Sequence, residues 1–225
     1  MTTTGLDVRT AAAEIVVGLR SLSNGKTATV RAFRRGYSER FSKESPQDLV
    51  GVAFLLLREP DFLCRFVAYE LVAHHRAALQ SLSAKELERF GQGIASWEAV
   101  DTFACYVSGP AWREKQVTDR LIHGWARSAD RWWRRAALVS TVPLNNKARG
   151  GQGDPRRTLA VCRLLVSDSD DMVVKALSWA LLELAKRDPQ AVRAFLKEQK
   201  AVLAKRVLRE VKNKLTTGLK NPRGK

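Results

Sequence analysis

Cysteine and histidine are both scarce in this 225-residue chain, with three residues of each. Cys64, Cys105 and Cys162 are far apart and embedded in apolar stretches. That is the pattern of reduced core thiols rather than of a disulfide framework. His74 and His75 are adjacent, so on a helix their side chains diverge by about a hundred degrees and do not chelate one metal. His123 stands alone, and no Cys-x-x-Cys pair exists. Neither a metal nor any other cofactor is therefore expected. Runs of about eighteen apolar residues are also missing, which excludes a membrane-spanning helix. The start, Met1 to Asp7, lacks the basic and apolar regions of a secretory signal. The expected compartment is the cytosol, which in a bacterium is also where the DNA lies. No Gly-x-Ser-x-Gly elbow marks a hydrolase. Gly18 to Gly25-Lys26-Thr27 fails as a phosphate-binding loop, because six residues separate its glycines and it follows a helical segment rather than a strand.

Acidic residues are in deficit too. There are 39 Lys and Arg against 23 Asp and Glu, a net charge of +16 with an isoelectric point near 10.3. Such a surplus favours a polyanion, either nucleic acid or an anionic membrane. The charge is clustered. One group is Arg31, Arg34, Arg35 and Arg40. A second runs through Arg131, Arg134, Arg135, Lys147, Arg149, Arg156 and Arg157, and a third is Lys205, Arg206, Arg209, Lys212 and Lys214. Taken singly, each could be the solvated face of its helix; on successive parts of a curved array they could track a duplex backbone.

Helical signals run from end to end, without convincing strand signals. Ser45-Pro46 before Asp48, Ser83 before Glu86, Asp154-Pro155 and Asp188-Pro189 are start signals. Leu49, Val52, Ala53 and Leu56 form one apolar stripe; Met172, Leu177, Ala180 and Leu181 form part of another. This predicts helices near 6–22, 27–42, 46–57, 60–79, 84–93, 97–107, 113–126, 130–142, 155–166, 170–186, 189–197 and 201–216. The expected fold is all-α, with antiparallel helix-pair repeats of HEAT-like size stacked into a curved superhelix with a basic concave face. A single domain over 1–217 is expected, with a flexible basic tail at 218–225. Asn145 to Gly153 reads as the one long flexible stretch, and its glycines lead onto a helix start. That loop is either a mobile connector or a phosphate cradle at a helix N-terminus.

One constellation carries chemistry. Trp97 and Asp101 are four apart, so on a helix the ring and the carboxylate share a face. Arg131 and Arg135 share another, as do Lys175 and Trp179. The ordered trio Ser96-Trp97-x-x-Val100-Asp101, then Trp132-x-x-Arg135-Ala136-Ala137, then Lys175-Ala176-x-x-Trp179-x-Leu181-x-Glu183-x-Ala185-Lys186 resembles the AlkD-like family of DNA alkylation-repair glycosylases over roughly residues 90–215. Lys26 to Arg31 is a weaker echo of that family's second helix. The resemblance implies a HEAT-like superhelix cradling duplex DNA, a catalytic Asp101, flanking aromatic faces at Trp97 and Trp179, and a backbone-binding Arg135. The longer Gly-rich loop and the N-terminal helices depart from the family pattern.

The chemistry is compatible with so few groups. A purine alkylated at N3 or N7 is already cationic and leaves without protonation by a general acid. A fixed carboxylate and indole faces would stabilise the oxocarbenium-like sugar that remains. The remaining expected DNA contacts are Arg131, Lys147, Arg149, Lys175, Arg31 and Arg206, with alkylated duplex DNA as partner and the protein acting as a monomer. A non-catalytic helical-repeat module that binds nucleic acid, or a protein scaffold, is the alternative. It predicts buried tryptophans and an Asp101 paired with a neighbouring Arg or a capping backbone group.

Overall fold

The computed structural model describes residues 5–222; Met1 to Thr4 of the chain start and 223–225 of the expected basic tail lie outside the described residues. Every regular element among them is helical, as the patterning predicts. The chain divides into two compact units, residues 1–92 and 93–225.

The first unit holds α1 (Val8–Arg20), α2 (Thr27–Arg40), α3 (Pro46–Leu56), α4 (Phe62–His74), α5 (Arg76–Ser81) and α6 (Ala84–Gly91). Its helices begin where the sequence supplies caps. The Asp7 carboxylate accepts from the amides of Arg9 and Thr10, Ser45 precedes Pro46, and Ser83 and Glu86 form a reciprocal capping box. Leu49, Val52, Ala53 and Leu56 are all buried, as their stripe predicts. The helix expected over 60–79 is instead two, broken at His75, whose extended backbone (φ −112°, ψ 94°) lets its ring accept from the Ala78 amide and cap α5. α4 is central: it packs on α2 and α3, and every residue from Phe66 to Val72 is buried, Glu70 included.

The second unit holds α7 (Trp97–Phe103), a π-helical turn (Ala104–Ser108), α8 (Gly109–Arg113), α9 (Asp119–Ala126), α10 (Arg131–Val139), α11 (Val142–Asn145), a 3-10 turn (Lys147–Arg149), α12 (Pro155–Leu164), α13 (Asp171–Ala185), α14 (Pro189–Glu198) and α15 (Lys205–Thr217). α7, α10, α13 and α15 pack on one another in succession. α9 and α12 pack together behind α10, and α14 packs on α13. Arg113 ends α8 rather than opening the next helix, because Lys115 turns the chain at φ 61°. α15 starts at Lys205, four residues later than 201.

Polar links between successive helices recur at a near-constant separation. Asp101–Arg135, Ser108–Ser140, Arg134–Asp168, Arg163–Glu198, Asp171–Arg206 and Ser178–Glu210 join residues 32 to 35 apart. Each helix therefore meets its counterpart one helix pair further on, the arrangement of a tandem helical repeat. The three cysteines are buried and free; burial pushes the thiols of Cys105 and Cys162 up to about 12. Among the described residues no helix is long and apolar enough to cross a membrane.

Candidate functional site

The site is built on α7. Ser96 accepts from the Ala99 amide and sets the helix start, so Trp97 occupies its first position. There Trp97 is 50% exposed, an unusual solvent exposure for so large an apolar ring. One helical turn on is Asp101, on the same face.

Arg135 on α10 grips Asp101 with both ends of its fork. Its Nε donates to Oδ1 at 2.9 Å and its Nη2 donates to Oδ2 at 2.8 Å. The third arm, Nη1, donates to the backbone carbonyl of Met172 on α13 at 2.6 Å. One guanidinium thus ties three successive helices. The Arg135 side chain is 6% exposed, whereas the Asp101 side chain keeps 17%. Burial raises the Asp101 carboxyl above its usual range of about 3.8, against the lowering effect of the Arg135 hydrogen bonds and charge; Glu98 adds to the rise.

Seven residues beyond Asp101, a second link joins the π turn that continues α7 to the C-terminal cap of α10: Ser108 Oγ and Ser140 Oγ, both buried, lie 2.7 Å apart. Close approach there depends on Gly109, where a Cβ would fall 2.7 Å from the Ala104 carbonyl oxygen and 2.8 Å from that of Ser140. Pro110 has no N–H to donate up the helix, and the turn before it widens to π. The carbonyl of Cys105 in that turn accepts from Arg149 Nη1 at 3.4 Å, and the guanidinium of Arg149 stacks over Tyr106. Arg149 therefore bolts the Gly-rich loop to the helix that carries Asp101.

Nor is that loop the free stretch its composition suggests. The Gly151 and Gly153 amides donate to the carbonyls of Asn146 and Leu144, and Arg187 donates to the carbonyls of Asn145 and Gly151. A Cβ at Gly151 would meet the Pro143 carbonyl oxygen at 2.6 Å, so that position admits only glycine. The N-terminus of α12 is capped by the Asp154 carboxylate, which accepts from the Arg157 amide and pairs with its side chain. The phosphate cradle considered for this loop is thus filled by the protein's own carboxylate.

Trp179 lies on α13, half-buried, on one stripe with Lys175 and Asp171. Lys175 pairs with Asp171 at 2.6 Å, and Arg206 of α15 reaches the same carboxylate at 3.1 Å while also pairing with buried Glu210. Arg131, exposed, stacks on Trp132 and reaches Asp170 at 3.5 Å. Lys147 is exposed on the 3-10 turn and has no carboxylate partner among the described residues. Arg31 belongs to the first unit, where it and Arg34 bind Glu70. Direct contact therefore unites Asp101 with Arg135, and Arg135 with the helix that bears Trp179. The carboxylates that reach these cations from another helix or its cap, Asp101 for Arg135, Asp170 for Arg131 and Asp171 for Arg206, went unseen in the sequence, because each lies a full helix pair away.

Among the described residues no three His, Cys, Asp or Glu side chains cluster as a metal site. No curated protein and no solved structure matches the chain. A family model described as DNA alkylation repair enzyme matches residues 22–215.

Proposed function

The chain belongs to the family of DNA alkylation repair enzymes, and from that premise we propose that it hydrolyses the N-glycosidic bond of cationic alkylated purines, of the 3-methyladenine and 7-methylguanine type, in duplex DNA. The observation that carries this reading is Asp101: a carboxylate held in fixed orientation by Arg135, still open to solvent, one helical turn from an exposed indole.

In the proposed reaction the C1′–N bond breaks and its electron pair neutralises the positive purine ring, so no proton needs to be delivered to the leaving base. Positive charge then develops on the sugar. A carboxylate already oriented before the reaction stabilises that charge without reorganising. The faces of Trp97 and Trp179 add the attraction of an aromatic quadrupole for a cation. Water adds to C1′ and its proton leaves to Asp101 or to solvent. Arg135 acts here as a positioning residue rather than as the primary phosphate contact, since three of its donors are engaged. Lys147, Arg131, Lys175 and Arg206 are the proposed backbone contacts. The exposed pairs of Arg131 with Asp170 and of Lys175 and Arg206 with Asp171 are worth about 0–1 kcal/mol each, so a phosphate can replace those carboxylates at little cost. Arg31 and Arg149 have mainly internal roles.

The non-catalytic reading has one observation in its favour, the pairing of Asp101 with Arg135. Against it stands Trp97, which a purely packing role would bury. Incubating the protein with N-methylated duplex DNA and measuring free base decides between them. Release of 3-methyladenine or 7-methylguanine supports the glycosylase; binding of the duplex without release supports the module.

A further inference from the structure

A different part of the second unit holds cations that pair with no acid among the described residues. α14 and α15 are consecutive helices that both pack on α13, and between them runs an open groove of about 370 Å³. Its floor is Leu196 and Leu215; its rims are Arg193, Lys197 and Lys200 from α14 and the turn after it, and Lys212 from α15. The α15 rim continues through Arg209 to Lys205, at helical spacings of three and four.

Among the described residues no carboxylate lines this groove. The two acids of α14 and α15 are engaged elsewhere: Glu198 with Arg163 of α12, and Glu210 with Ser178, Arg206 and Lys220. Among the described residues Lys197, Lys200, Lys205, Arg209 and Lys212 pair with no acid, unlike most of the arginines around Asp101. α15 also starts without a capping side chain, at Ala204, with Lys205 and Arg206 in its first turn. Cations there oppose the helix dipole unless an anion joins them.

We propose that the α14–α15 groove is a second DNA contact, which seats the phosphodiester backbone of the duplex away from Asp101. The proposal rests on DNA as the partner and does not depend on base removal. Each rim spans eight residues, Arg193 to Lys200 and Lys205 to Lys212, whose seven steps cover about 10 Å at the helical rise, which matches roughly three successive phosphates of one strand at about 3.4 Å of axis each. α10 and α13 separate α15 from α7. At interaxial distances of about 8–10 Å the groove lies roughly 24–30 Å from α7, within a single turn of duplex. One DNA molecule can therefore reach both places.

The test is binding of an unmodified fluorescent duplex, about two helical turns long, followed by anisotropy from low to moderate salt. Wild type is compared with the triple variant Lys197→Gln, Lys200→Gln, Lys212→Gln. Loss of three phosphate contacts lowers the slope of log affinity against log salt by roughly 2–3 and weakens binding at least tenfold. Equal affinity and slope in the two proteins overturn the groove while leaving DNA as the partner intact. Failure of wild type to bind any duplex overturns both. Loss of binding to phosphatidylserine vesicles, with duplex binding preserved, overturns the proposal in favour of a membrane surface. A measurement on unaltered protein guards against a folding defect: bound duplex should protect Lys197, Lys200 and Lys212 from acetylation, while Lys85 of the first unit reacts as before. Equal reactivity of all four overturns the proposal.

Discussion

Each unit buries a carboxylate and grips it with arginine, yet the two grips differ in what they leave open. In the first unit Glu70 sits mid-helix with 1% of its side chain exposed, bound by Arg31 at 2.8 Å and Arg34 at 3.3 Å. In the second unit Asp101 is bound by one arginine and keeps 17% exposure. Glu70 is closed off by α2 and by its own helix's buried surroundings; Asp101 lies a turn from the start of α7, beside exposed Trp97. The same ion-pair device gives structure where it is sealed and a candidate reaction centre where it is not.

Breaking the sealed pair has the largest expected effect. Glu70→Ala leaves Arg34 buried without its counter-charge and should cost about 3–5 kcal/mol, read as a lower denaturant midpoint, because an uncompensated buried charge outweighs the pair's own net worth. Base release by whatever protein remains folded should be normal. Arg135→Ala comes next, at about 3 kcal/mol, and it separates the two regions by a second readout. Burial already raises the Asp101 carboxyl, and removal of the arginine that opposes the rise should move the acid limb of the pH–rate profile further up. Arg135→Lys should bring the limb part of the way back. A profile that stays in place would make Arg135 a purely structural residue.

Smaller still is Trp97→Ala. With half of its surface in water, the ring contributes little to folding, so stability should hardly change while single-turnover base release falls about tenfold, on the order of 1–2 kcal/mol of cation–quadrupole attraction. The smallest effect concerns a third buried carboxylate, Glu210. Burial pushes it up, but hydrogen bonds from Ser178, Arg206 and Lys220 outweigh that and leave its carboxyl below the usual range. A depressed folded value means that its contribution to stability is present above about 4.5 and lost as pH falls through the folded value. Glu210→Gln should therefore flatten the acid-side loss of stability in thermal melts. Asp101 has the opposite sign. Its folded value is raised, so its contribution to stability is full below about 3.8 and declines as pH rises through the folded value.

Much of this was legible in the residue order because it is local. Caps at Ser45, Ser83, Asp154 and Asp188 announce helices three residues away at most, and the 97–101 and 175–179 spacings put side chains on shared faces without any knowledge of packing. What escaped is tertiary. Nothing in His74-His75-Arg76 is a breaker by composition, so the end of α4 follows from packing and a histidine cap. Gly109-Pro110 is a breaker, yet the helix absorbs it in a π turn because Gly109 must press against Ser140. The Gly-rich loop looked free because its restraints, Arg149 and Arg187, act from other helices or through backbone groups. The acids that reach Arg31, Arg131, Arg134, Arg135 and Arg163 lie 34 to 39 residues away, a separation visible only after the helices stack.

The most direct test of the account is single-turnover release of free base from N-methylated duplex DNA by wild type, Asp101→Asn and Glu70→Gln, each with its melting temperature and duplex affinity measured alongside. The account predicts a loss of about 10²–10³-fold for Asp101→Asn, the scale of removing one preorganised electrostatic stabiliser, with fold and affinity intact, and a stability loss without a rate loss for Glu70→Gln. Equal rates for wild type and Asp101→Asn would contradict it.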